Sequence, residues 1–236
     1  MRLTRVIISV AVALVAALTV ALAQPGSADA ATRAQIKSWQ SRLNSLHCDA
    51  GPADGTIGTH TRTAVIRFQT RHGLAVSGKF SNVTVRTLRS SAAHRCDIRP
   101  VPRGTGSGRR IVISQGQNWV WLVRSDGTVY AQGGIVDNPA ELHKGWTHTG
   151  SYCGRPARVK LNHSGSVYMD DFVRFAPCGI GFHRIPRYIS GGNQMHADYF
   201  LGTNFKQSHG CIRLSARMAR NIWSWTSGTT TRVRVI

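Results

Sequence analysis

Acidic residues are scarce in this sequence: 10 Asp and Glu stand against 30 Lys and Arg in 236 residues, a formal net charge of +20. That balance implies anionic surroundings, whether nucleic acid, wall polymers or a lipid surface. No nucleic-acid-binding motif is present, so nucleic acid is not an expected partner. Metal-ligand spacing is also missing. The chain has 10 His and 5 Cys but no His-Glu-x-x-His and no paired Cys-x-x-Cys, which argues against a metal hydrolase and implies neither metal nor cofactor. Beyond the N-terminus no apolar run is long enough to span a bilayer, and no cysteine follows the first apolar run to take a lipid.

The first apolar run has a direction. Arg2 and Arg5 precede it, it extends from Val6 to Ala23, and Ala28, Asp29 and Ala30 follow it, which together read as a secretory signal peptide over residues 1–30, cleaved after Ala30. An uncleaved anchor is the competing reading and would be the chain's membrane attachment. Export to an oxidising compartment makes five cysteines read as two bridges and one thiol. Cys48 and Cys96 fall in one region and Cys153 and Cys178 in another, while Cys211 stands alone within Ser208-His209-Gly210-Cys211-Ile212-Arg213-Leu214. Spacing does not fix connectivity, and a bridged Cys211 is the alternative.

Residues 31–96 read as a small helical domain. Ile36, Trp39, Gln40 and Leu43 share one helical face, and Val65, Ile66, Phe68 and Gln69 mark a second periodic stretch. The turn-rich stretch from Cys48 to Gly58 has a weaker echo in Val76-Ser77-Gly78-Lys79-Phe80, ahead of a third helix near Ser81 to Ser90, so the bundle carries an internal repeat. Thr59 and Ser81 are the expected N-caps. Residues 97–109, with Pro100, Pro102, Gly104, Gly106 and Gly108, read as an exposed linker. From residue 110 to 236 the texture is β-rich: Ile111 to Ile113, Trp119 to Val123 and Thr128 to Tyr130, with a tight turn at Ser125-Asp126-Gly127, then Val167 to Phe175, Gly179 to His183 and Arg232 to Ile236. Ala216 to Trp225 has helical spacing behind a cap at Ser215. The whole reads as an α+β multidomain chain, a three-helix bundle followed by a mainly β domain with a short C-terminal helix, and monomeric.

Cys211 lies between a glycine turn and the cap of that last helix, a setting expected to lower a thiol pKa and to present backbone amides to developing negative charge. Gly210 lets the backbone turn sharply there. A cysteine nucleophile needs a base, for which His183, His196 and His209 are the candidates. A Cys/His peptidase of the papain-like wall-hydrolase kind places its cysteine before its histidine, whereas the strand-end candidate, His183, comes first here.

"ADGTIGTHTRTAVIRFQTRHGL" resembles the peptidoglycan-binding domain that accompanies wall enzymes. "GIGFHRIPR" followed by "SHGCIRLS" resembles the catalytic signature of the L,D-transpeptidases, a likeness that extends to "VWLVRSDGTVY" and "SGTTTRVRVI". The resemblance implies a catalytic domain of mixed, sandwich-like β-sheets, with Cys211 as nucleophile, His183 as base, the Arg184 backbone carbonyl as its orienting partner and amides at Gly210 and Cys211 as the oxyanion hole. Ser208, His209 and Arg213 would shape the pocket. It also implies an exported enzyme that meets peptidoglycan stems and glycan in the wall. There it would release terminal D-alanine from a tetrapeptide and join the third residues of two stems, or hydrolyse the same thioester as an L,D-carboxypeptidase. A wall-binding protein without activity is the remaining alternative. The stretch 184–207 is longer than the family pattern and reads as a surface loop, with a lid over the cleft as the other possibility. Tyr168, Asp170, Asp171 and Phe172 are expected to pack the sheet rather than line the pocket.

Overall fold

The computed structural model describes residues 31–236; the expected signal segment, 1–30, lies outside the described residues. Thr32–Ile236 form one compact unit. Among the described residues no helix is long and apolar enough to cross a membrane.

Among the described residues three helices come first: α1 (Arg33–Ser45), α2 (Thr59–Arg71) and α3 (Asn82–Arg89). Thr32 caps α1 in a reciprocal box with Gln35, and Ser81 caps α3 by accepting from the Thr84 amide. Thr59 does not cap α2. Gly58 takes the extended cap conformation without a side-chain bond, and Thr59 is drawn into the first turn. The sequence echo corresponds to two equivalent amide hubs. Gln40 Oε1 accepts from the Gly55 amide at 2.8 Å while its Nε2 donates to Thr56 O and Thr61 Oγ1, each at 3.0 Å. Gln69 Oε1 accepts from the Gly78 amide at 2.9 Å while its Nε2 donates to Lys79 O and Thr84 Oγ1, each at 3.0 Å. Both side chains are buried, and each ties a glycine turn to its neighbouring helices by satisfying groups that burial would otherwise leave unpaired. The Cys48–Cys96 disulfide closes the bundle.

Ten strands and a fourth helix follow. β1 (Arg110–Ser114), β2 (Trp119–Val123), β3 (Val129–Gly134), β4 (Gly145–His148) and β10 (Arg232–Val235) make one sheet in the order β3-β2-β1-β10-β4, with β1 and β10 parallel. The second sheet runs β5 (Arg158–Ser164), β6 (Val167–Arg174), β7 (Gly181–Arg184), β9 (Ile212–Leu214), with β8 (Arg187–Tyr188) paired to β6 and with β7 and β9 parallel. The strand expected from Gly179 starts at Gly181, because Pro177–Gly179 form a 3-10 turn. α4 spans Ala216–Trp225 and Ser215 caps it. Ile111, Ile113, Val120 and Leu122 from the first sheet, Val173, Phe182 and Ile212 from the second, and Met218 and Ile222 of α4 share one core. Each such fully buried side chain contributes about 2 kcal/mol.

β2 is apolar on both faces, so its second face also needs cover. Val112, Trp119, Trp121 and Val123 form a separate cluster there, against which Val101 packs. This is why residues 97–109 are not simply an exposed tether. Arg99 is 1% exposed, its carbonyl accepts from Trp121 Nε1 at 3.0 Å, and its guanidinium lies over the Trp119 ring at 4.1 Å. The stretch 184–207 is not a free loop either. Arg67 of α2 donates to the Tyr199 and Leu201 carbonyls, and His60 stacks on Tyr199 with ring centroids 4.3 Å apart. The stretch is therefore a platform on which the helical region sits.

Candidate active site

β7 and β9 lie side by side with His183 opposite Arg213, so Cys211, just before β9, arrives next to the start of β7. Gly181 makes this approach possible. A side chain there would press within 2.8 Å of both the Phe172 ring and the Val173 carbonyl of β6. Cys211 is the free cysteine among the described residues, and its Sγ contacts the Gly179 carbonyl at 3.5 Å. Cys153 is disulfide-bonded; the side chain of Cys178, its expected partner, lies outside the described residues.

His183 is 2% exposed, and its Nδ1 lies 2.5 Å from the Arg184 carbonyl. A carbonyl only accepts, so Nδ1 carries the proton and Nε2 keeps its lone pair. The imidazole stacks on Phe172, 5.9 Å between centroids and 9° between planes. Burial pulls its pKa down to about 4 against the Arg184 carbonyl, which favours the charged ring; Arg213 lowers it and Asp170 raises it. The ring is thus neutral at pH 7.

Burial acts on the sulfur in the opposite sense to the sequence expectation. The Cys211 thiol pKa is raised by desolvation, with the Gly181 backbone, Arg174 and Arg213 pulling it down only in part. The reason is positional: the three residues of β9 separate Cys211 from the cap at Ser215, so the α4 N-terminus does not reach the sulfur.

Cys211 and His183 open onto one cleft of about 750 Å³, which Ser208, His209 and Arg213 also line. Ser208 is buried and its polar groups are already engaged. Its Oγ accepts from the Gly210 amide at 3.0 Å, its amide donates to Asp137 O at 3.3 Å, and its carbonyl accepts from Asn138 Nδ2 at 3.1 Å. Gly210 has φ +119°, a conformation that a side chain would strain. Arg213 donates to the Lys206 carbonyl, and its backbone exchanges two bonds with Val136. His196 is buried beside Phe200 with Nδ1 on the Ala197 carbonyl and does not line the cleft, whereas His209 does.

Several contributors escaped the sequence reading. Val136, Asp137 and Asn138 form a splint along the loop that carries Cys211. Asp137 is 2% exposed, accepts from Asn118 Nδ2 at 3.1 Å, and is raised by burial to about 6, with Asn118 and Gln115 holding it back. Phe172 does more than pack the sheet, since it also lines the cleft. Asp170 pairs with Arg187, Asp171 with Lys160, and Tyr168 lies beneath Arg187, as packing residues do. Arg155 and Arg174 line the cleft as well. Nothing local marks them, because Arg174 occupies an ordinary strand position. Among the described residues no group of three or more His, Cys, Asp or Glu side chains could hold a metal ion.

Residues 108–235 match the L,D-transpeptidase catalytic domain family. The chain belongs to that family. Residues 32–88 match a peptidoglycan-binding domain, so peptidoglycan is a partner of this L,D-transpeptidase-family protein and the cell wall its place of action. Similar solved structures include an L,D-transpeptidase from Xylanimonas cellulosilytica (23% identity, 85% of this chain and 92% of that one, TM-score 0.48). Others are an L,D-transpeptidase from Stackebrandtia nassauensis (19%, 85% and 90%, 0.42) and one from Mycobacterium tuberculosis (20%, 56% and 58%, 0.38). At these values they add nothing to what the family match shows. No curated protein sequence matches the chain.

Proposed function

We propose that this family member is a peptidoglycan L,D-transpeptidase in which Cys211 is the nucleophile and His183 its base. The observation that carries the reading is a free thiol sharing a cleft with an imidazole whose tautomer is set by the Arg184 carbonyl, leaving Nε2 as acceptor. Burial keeps both groups neutral at rest, so the reading has the thiol proton pass to Nε2 as sulfur attacks the carbonyl of the stem's third residue. The amides at Gly210 and Cys211 would receive the oxyanion, the Gly210 N–H exchanging its Ser208 partner for it. Collapse breaks the C–N bond, the imidazolium protonates the departing D-alanine amine, and a thioester remains. The side-chain amine of a second stem's diamino acid then attacks the thioester and cross-links the stems, whereas water in its place gives carboxypeptidase activity. Helices α1–α3 would hold the enzyme to glycan, and the cationic surface to anionic wall polymers, after export by the N-terminal segment.

Carbapenem treatment of the purified protein tests this reading. One drug-sized mass should add to the chain, and none to Cys211→Ala; an adduct that survives in the variant excludes the mechanism. Acylation should lose rate on the acid side near pH 4, where His183 takes its proton, rather than near 6.5.

A further inference from the structure

The charge in the cleft is one-sided. Arg155, Arg174 and Arg213 line it, and among the described residues no aspartate or glutamate does. Arg213 has a structural partner in the Lys206 carbonyl. Arg174 is 4% exposed, its Nε donates to the Pro156 carbonyl at 3.2 Å, and its Nη1 is buried with no partner. An unsatisfied guanidinium nitrogen is costly to keep out of water, so an anion placed against this group is favoured. Arg155 is the neighbour whose charge bears most on Arg174, and its Nη1 would lie 3.6 Å from a β-carbon placed on Gly179, the residue whose carbonyl contacts the Cys211 sulfur. Both cations therefore line the cleft onto which Cys211 opens.

We propose that Arg174 and Arg155 form a carboxylate subsite that reads the free C-terminus of the residue leaving the donor peptide. A terminal carboxylate sits one residue, about 3.5 Å of backbone, beyond the attacked carbonyl, so with that carbonyl at Sγ the carboxylate falls in the immediate surroundings where these arginines stand. Guanidinium forks hold carboxylates in two-point geometry, and a cleft with no acidic wall strengthens that attraction. The donor is thereby selected as a peptide ending exactly one residue past the scissile bond: a longer stem places an uncharged peptide group where the arginines require an anion. The proposal rests on the acyl-transfer reading for which bond is attacked, but the binding it describes does not need the thiol.

The test measures binding of two synthetic tetrapeptide stems, one ending in free D-alanine and one in D-alanine amide, to the full chain carrying Cys211→Ala. The acid should bind about tenfold to a hundredfold tighter than the amide, the span expected for hydrogen bonds to a charged group. Adding Arg174→Gln should bring the acid down toward the amide. Arg155→Gln, at an exposed position where folding is not at stake, should do so in part. A role confined to stabilising the Cys211 thiolate cannot alter this ratio in a protein that lacks the thiol. Equal binding of acid and amide, no binding of either, or a preference that survives in both variants overturns the subsite. Release of D-alanine by the unmodified protein is followed alongside. Acid-selective binding without release removes the acyl-transfer reading and keeps the subsite, whereas release without acid preference removes the subsite alone.

Discussion

In the seam between the helices and the first sheet, Arg67 and Arg99 are buried and their guanidinium groups donate to backbone carbonyls: Arg67 to Cys48, Asp49, Tyr199 and Leu201, Arg99 to Cys96, Gln117 and Arg67. In the cleft, Arg174 is equally buried but has one bond to a carbonyl and an unpartnered Nη1. Burial lowers the seam pKa values to about 10 for Arg67 and about 9 for Arg99, so both stay charged at neutral pH, held by carbonyl dipoles. A guanidinium with a partner on each nitrogen fixes the fold; Arg174 keeps one nitrogen without a partner. The two places differ in hydrogen bonding and not in exposure, which is nearly the same in both.

The largest effect should come from the disulfide on which the seam converges, since the carbonyls of both its cysteines accept from these arginines. Replacing Cys48 and Cys96 together by Ala opens a loop with a sequence separation of 48 and should cost about 4 kcal/mol in urea unfolding. Arg67→Met should follow at about 3 kcal/mol, because it strands several buried carbonyls at once. A loss below about 1 kcal/mol would show that the struts are idle and would break the comparison from its structural side.

Much of this was legible in short windows. Ser215 and the spacing of 216–225 pointed to α4, the Asp126-Gly127 turn to the β2–β3 hairpin, and the glycine echo to an internally repeated bundle, though not to the glutamine hubs within it. The residues around Cys211 and His183 were prominent for the same reason, since each half of the site is contained in one short segment. What escaped is set by distance along the chain. Arg67 meets Leu201 across 134 residues, and no local pattern announces such a contact. The packing of Arg99 and Val101 within the linker follows from β2 being apolar on both faces, which a glycine and proline count does not register. The raised thiol pKa escaped because it comes from burial, which the residues next to Cys211 do not announce, and because β9 sets the helix cap too far away to offset it.

Titratable groups offer the same comparison between the cleft and the region packed behind it. His183 has a folded pKa of about 4 below its ordinary 6.5, so its contribution is present above pH 6.5 and lost as pH falls toward 4. Asp137 has a folded pKa of about 6 above its ordinary 3.8, so its contribution is full below 3.8 and lost as pH rises through 6. Each amounts to about 3 kcal/mol across its window, and between pH 4 and 6 the two oppose one another. Relative to the unmodified chain, His183→Gln should therefore lose stability less steeply on acidification and Asp137→Asn more steeply, as read from urea midpoints at pH 4, 5 and 6.5. Shifts of the same sign in both variants would show that one of these groups is not titrating as its burial requires.

The smallest effect should be the most telling. Arg174→Gln gives up one hydrogen bond to Pro156 and a guanidinium placed 4.9 Å from the Phe172 ring centroid, but it also removes a buried cation with an unpaired N–H. These terms nearly offset, so the unfolding free energy should change by no more than about 1 kcal/mol, against about 3 for Arg67→Met. If the two variants prove equally damaging, Arg174 is a strut like the others, and the cleft holds no guanidinium in reserve for a substrate. If Arg174→Gln is neutral in stability while the preference for a free carboxylate disappears, the leftover donor belongs to the ligand.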